Sequence, residues 1–303
     1  MSVELLSLGT VEGLEVRAAP LGGVVWDRGA LVRLDGGDLD WRLAFDEPHA
    51  LARHGRRLYA GIGEWLVCLD ARTGGAVWSV DCGAPVSALD AHAEGVDALA
   101  ADQLVSLDPR GAVVSSVSVG RRGGLLRRVG GIRYVAAEDG IWRIPPGERA
   151  ALLYACVCHG LYDRAGRLHA LGEGAPGTVL IEDDGLAMVW PFADAASHLI
   201  APWGKAEWAV APRAGRGGLW VVDRRVQTRW QVALPGRASA LAVAGNAVAL
   251  LLDDGGPVLA VVHRDAPQPL LLGIDRADAL HAEGDHLYLT HEDRTSILLV
   301  RET

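Results

Sequence analysis

A glycine recurs along this chain at an interval that neither a helix nor a single open sheet explains. Gly22, Gly55, Gly95, Gly130, Gly166, Gly204, Gly245 and Gly284 each stand between two short apolar runs, 33 to 41 residues apart. Counted from Gly284 through both termini to Gly22, the interval is again 41. Between successive glycines lie runs of about four to seven residues, broken by Gly, Asp and Arg turns, as strands are. No stretch sustains the i, i+3, i+4 spacing and the caps of an amphipathic helix. Four strands in a repeated unit of about forty residues predict a β-propeller. A solenoid would need polar caps at its ends, and the sequence offers none. The expectation is an all-β propeller of four-stranded blades, a single domain over residues 1–303. It has eight blades, with seven as the alternative because the fifth and sixth copies are irregular. The last copy, "RADALHAEGDHLYLTHEDRTSILLV", holds three strands, and "ELLSLGTV" near the start is a spare one. Pairing the N-terminal strand with the last blade closes the ring and covers an open edge.

The clearest copy is "YAGIGEWLVCLDARTGGAVWSVDCG", residues 59–83. Gly61-Ile62-Gly63 lacks the third glycine and the following helix of a dinucleotide loop, so it is a turn and not a cofactor signature. Thr73-Gly74 meets the backbone demands of a tight turn. Leu69-Asp70-Ala71, Thr73-Gly74 and Val77-Trp78 together resemble the PQQ-like repeat of bacterial quinoprotein-type propellers, akin to WD40-like repeats. The resemblance implies that the Asp-to-Gly segment turns the third strand into the fourth. It also implies that Trp78 packs between blades, with Trp41, Trp190 and Trp230 at corresponding places. It extends to the fold and not to the activity. Quinoprotein dehydrogenases use a vicinal cysteine pair, a stacking Trp, calcium ligands and long loops, and Cys156-Val157-Cys158 is not vicinal.

Charge narrows the function classes. Arg and Lys number 29 against 38 Asp and Glu, a net −9. Phosphate backbones and anionic membrane surfaces call for the opposite balance. The N-terminus shows no basic segment followed by an apolar one, and "LAVAGNAVALLL" (241–252) is too short to span a bilayer. A cytoplasmic, bacterial protein is the expectation. Four cysteines do not make a disulfide framework in a chain this long. No HExxH, GxSxG, Walker or CxxC sequence is present, and no cofactor is expected. Cys156, Cys158 and His159 form the one compact group of soft ligands and are a candidate metal site. The competing reading packs both cysteines in the core.

A propeller sorts its turns by face. The turns between second and third strands carry Asp27, Glu64, Asp102, Glu138, Asp139, Glu173, Asp253, Asp254, Glu292 and Asp293, so seven of eight units place acid on one rim. Trp26 and Trp65 adjoin Asp27 and Glu64 and are candidate anchors. Trp203 and Trp208 flank a turn on the opposite, more basic face. These residues predict a non-enzymatic interaction scaffold that binds a protein with a basic surface through its acidic rim. Such compact bacterial propellers occur as accessory subunits of assemblies built around AAA+ ATPases. The alternative is an enzyme, or a binder of a small ligand or metal, that uses the central channel.

Overall fold

The computed structural model describes residues 3–12, 21–27, 30–35, 38–44, 50–174, 177–183, 185, 187–189, 198–204, 206–213, 218–223, 225, 227–253, 256–274, 276–292 and 294–302. Among them are 31 strands and no helix, arranged as eight antiparallel sheets. Along the chain these are blade 1 (24–44), blade 2 (50–81), blade 3 (86–118), blade 4 (123–154), blade 5 (157–189), blade 6 (198–233), blade 7 (237–273) and blade 8 (279–302 with 3–12). Blade 1 shows three strands among the described residues and the others show four. The count is eight, and the seven-blade alternative falls. The chain divides into two compact units. One is Met1–Ala44 with Asp194–Thr303, holding blades 1, 6, 7 and 8; the other is Phe45–Ala193, holding blades 2 to 5.

The recurring glycine marks the hairpin that opens each blade. All eight have positive φ, the left-handed region where a Cβ is penalised. At Gly95 (φ 139°) an added Cβ would stand 1.9 Å from the Leu107 carbonyl oxygen, so this turn admits no side chain.

Burial grades across each blade. The second strands are covered on both faces, and Gly95–Ala100 is buried at every residue. The outer strands Ala76–Asp81, Val113–Ser118 and Thr228–Ala233 are half-exposed and alternate. That difference follows from position: an inner strand is flanked by neighbouring blades, while an outer strand meets water along its free edge. Apolar clusters join successive blades. Leu66, Cys68 and Tyr59 of blade 2 pack with Val86, Val96 and Leu107 of blade 3.

The N-terminal strand Val3–Glu12 pairs antiparallel with Arg294–Glu302, from Val3 opposite Glu302 to Glu12 opposite Arg294. It is the outermost strand of blade 8, as the spare strand predicts.

The Asp-to-Gly turn also behaves as the resemblance implies. The Asp70 carboxylate accepts N–H bonds from Arg72 (2.9 Å) and Thr73 (3.2 Å), and Arg56 pairs with it at 2.8 Å. Gly74 has φ 71°. Trp78, in the outer strand of blade 2, donates its indole N–H to the Pro109 carbonyl of blade 3 at 3.1 Å, and its ring lies 5.8 Å from that of Tyr59. It is a wedge between blades. Trp230 makes an edge contact with Trp203 at 5.7 Å. Trp190 lies outside the described residues.

Candidate functional site

In the unit of blades 2 to 5, the hairpins between second and third strands share one face, since all inner strands run the same way. The turn after Arg57–Ile62 puts Glu64 and Trp65 in solvent, Trp65 being 51% exposed. The turn after Ile132–Ala137 exposes Glu138 and Asp139. Asp102 is half-buried, in the turn after Gly95–Ala100, and accepts the Ser118 hydroxyl at 3.1 Å. Glu173 is half-buried at the end of Arg167–Gly174, 3.5 Å from His159 Nε2.

The acids differ in availability. Asp139 takes the Trp142 indole N–H at 2.8 Å and Arg121 at 3.1 Å, which hold its carboxyl below the usual range and bind it into its own turn. Glu64 and Glu138 make no side-chain bond among the described residues and are free for a partner. Arg121 and Arg122, in the connection between blades 3 and 4, stand exposed on the same face and moderate its charge.

Some predicted anchors are corrected. Trp26 is 6% exposed and Asp27 1%; Asp27 is paired with Arg42 at 2.7 Å. Burial beside an apolar cluster removes both from any partner. Trp203 and Trp208 are wholly buried, not surface anchors of the opposite face. Asp253 and Glu292 are exposed in the other unit, and Asp254 and Asp293 lie outside the described residues.

The cysteine group separates. Cys156 and Cys158 belong to the apolar cluster shared by blades 4 and 5. Burial pushes their thiols up to about 11 and about 12, so thiolate ligands are disfavoured at neutral pH. His159 points away to Glu173. No group of three ligating side chains fit for a metal occurs among the described residues.

A second site escaped the reading of the sequence. Between blades 3 and 4, on the face opposite the Glu64 turn, a crevice offers about 410 Å³. Its floor is Asp97, with no exposure, in the second strand of blade 3. Asp97 Oδ1 takes the Ser106 hydroxyl; Oδ2 makes no hydrogen bond, with His92 Nε2 at 3.5 Å. Burial alone would raise Asp97, but His92, Ser106 and the more distant Arg133 hold it below the usual range. Arg133, 7% exposed, donates Nη1 to Ser106 (3.1 Å) and Ser115 (3.4 Å). Arg128 reaches Glu94 at 2.5 Å and a ring nitrogen of His92 at 2.9 Å. Ser106, Asp97 and His92 lack the order of a nucleophile triad: the hydroxyl is bound to the carboxylate, so the imidazole is not its base.

The likeness to solved structures covers nearly the whole chain. It resembles BamB from Moraxella catarrhalis at 16% identity and a TM-score of 0.65, over 99% of each chain. It resembles the computationally designed Ika8 protein at 14% and 0.69, over 97% of this chain and 99% of that one. It resembles the dihydro-heme d1 dehydrogenase NirN, solved in complex with DHE, at 14% and 0.64, over 96% of this chain and 78% of that one. These likenesses establish the fold, an eight-bladed all-β propeller. No family model matches the sequence, and comparison with curated proteins finds no match.

Proposed function

We propose that this chain is a non-catalytic interaction module that docks a protein with a basic surface on the turns carrying Glu64, Trp65 and Glu138. The carrying observation is Trp65. It stands half-exposed at the tip of a hairpin next to the free Glu64, with Glu138 on the same face two blades further on, while Trp203 and Trp208 are sealed in the core. Tryptophan is among the residues most often found as interface anchors, and the free acids on its face would steer a basic partner toward it. BamB shares the fold and supports a propeller scaffold as the frame for such a surface; membership of an ATPase-containing assembly is part of the proposal.

The test is affinity capture of the full chain with mass spectrometry and metal analysis. It compares wild type, Trp65→Ala, the pair Glu64→Lys with Glu138→Lys, and Arg72→Glu with Arg110→Glu on the opposite face. A stoichiometric partner lost in the first two variants and kept in the third is expected. A partner kept by all three variants, or stoichiometric metal with no partner, refutes the reading.

A further inference from the structure

We propose that the crevice between blades 3 and 4 is a binding site for a small zwitterion, an α-amino acid with an aliphatic side chain. The proposal stands apart from the rim reading, since the two sites occupy opposite faces of the same unit.

Its basis is a pair of buried charges left open toward the crevice. Asp97 is wholly buried, yet its Oδ2 makes no hydrogen bond. Arg133 is 7% exposed, and its side-chain bonds go to two serine hydroxyls and not to a carboxylate. His92 Nε2, 3.5 Å from the Asp97 Oδ2, meets that charge only in part; a buried charge so incompletely met is costly, and a ligand group that completes it would be favoured there. Ser106 bridges the two, accepting from Arg133 and donating to Asp97, so the opposite charges lie side by side across neighbouring blades.

Ligand charge follows from the remaining groups. Arg128 and Glu94 satisfy each other. That leaves Arg133, with His92 3.5 Å from Asp97, facing Asp97 and the exposed Glu148 at the mouth. A simple anion would meet two carboxylates, and a simple cation would meet the guanidinium. A molecule carrying both charges on neighbouring atoms satisfies both, its carboxylate on Arg133 and its ammonium on Asp97. Planar guanidinium suits carboxylate in particular. The other walls, Leu107, Val114, Val117 and Pro146, are apolar and suit an aliphatic side chain. The volume lies within the range of about 300–1,000 Å³ common to small-molecule sites.

The experiment is calorimetric titration of the full chain with L-valine and L-leucine. The leucine analogues 4-methylpentanoate and 3-methylbutylamine each keep one charge. Saturable binding of at least one amino acid is expected, weakened at least about tenfold for either analogue. Arg133→Met and Asp97→Asn, checked for wild-type circular dichroism, should each abolish it. If those variants fail to fold, Ser115→Ala with Glu148→Gln on the wall and mouth carries the test by a measurable loss of affinity. Neither amino acid binding at millimolar concentration, equal binding of a single-charge analogue, binding retained by folded Arg133→Met or Asp97→Asn, or affinity unchanged by the wall and mouth substitutions overturns the proposal.

Discussion

Replacing Gly111 by alanine would bring a methyl carbon to 2.8 Å from Cδ2 of Trp78, in the blade 3 turn that receives the blade 2 wedge. Two costs combine. Gly111 has φ 87°, and a Cβ there costs about 1 kcal/mol or more. Overlap with the ring adds about 2 kcal/mol, as overpacking does elsewhere. Trp78→Ala removes a half-buried ring and the bond to the Pro109 carbonyl, about 3 kcal/mol at the lower end for aromatic truncation. With the ring gone, the Gly111 methyl has room and only the backbone cost remains. The double variant should lose about 4 kcal/mol, where additivity would give about 6, a coupling of about 2 kcal/mol. Urea unfolding followed by far-ultraviolet circular dichroism on all four proteins measures it, provided the slope m is common to the four. Additivity to within about 0.5 kcal/mol would refute the wedge.

Three further outcomes follow from the same geometry. Against burial that would raise it, Asp70 is held below the usual range by Arg72 N–H and Arg56, and Asp108 is held down by the N–H groups of Ala112 and Arg110. Each is more acidic folded than unfolded, so its contribution is present above the unfolded pKa of about 3.9 and fades as pH falls through the lower folded value; melting at pH 3 against pH 7 should fall less steeply in Asp70→Asn, and identical slopes would count against the turn bonds. Cys156 and Cys158 should resist iodoacetamide at pH 8 in the native protein and react once it is unfolded; rapid native labelling would contradict their burial. Deleting residues 1–12 leaves Arg294–Glu302 as an open edge, so lower melting and concentration-dependent association are expected, and unchanged melting and gel-filtration elution would show the strand to be dispensable.

The features legible in the sequence are those set within one hairpin. A turn that must enter the left-handed region calls for glycine, so the eight glycines count the blades. An unpaired strand at each end of the chain implied their pairing. Features set between elements were not legible. Trp26, Trp203 and Trp208 are adjacent to turns in sequence, but packing between strands and blades decides their burial. Asp27 meets Arg42 from two strands away, and Asp90 takes the backbone N–H of Arg128 from the next blade. Still, the crevice left a trace that could have been read. Asp97 in "GVDALA" and Arg133 in "IRYVAA" are charges inside second strands that are otherwise apolar. A charge in a strand covered on both faces has to find a partner there.

That trace bears on where function lies in a repeat fold. A designed protein and a dehydrogenase share this architecture, so the architecture alone is silent on activity. Every blade has the same structural task, and function must be sought where a copy does something the task does not require. Crevices beside the first hairpin recur in the other unit, between blades 7 and 8 and between blades 8 and 1. Between blades 8 and 1, the Glu283 carboxylate accepts the N–H groups of Gly22 and Gly23, so the chain's own backbone meets that charge. Between blades 3 and 4 the corresponding space keeps a carboxylate oxygen and a guanidinium that the chain does not fully answer. Stability would favour apolar residues of similar size at both positions. Their presence is accounted for by a ligand that supplies the missing partners.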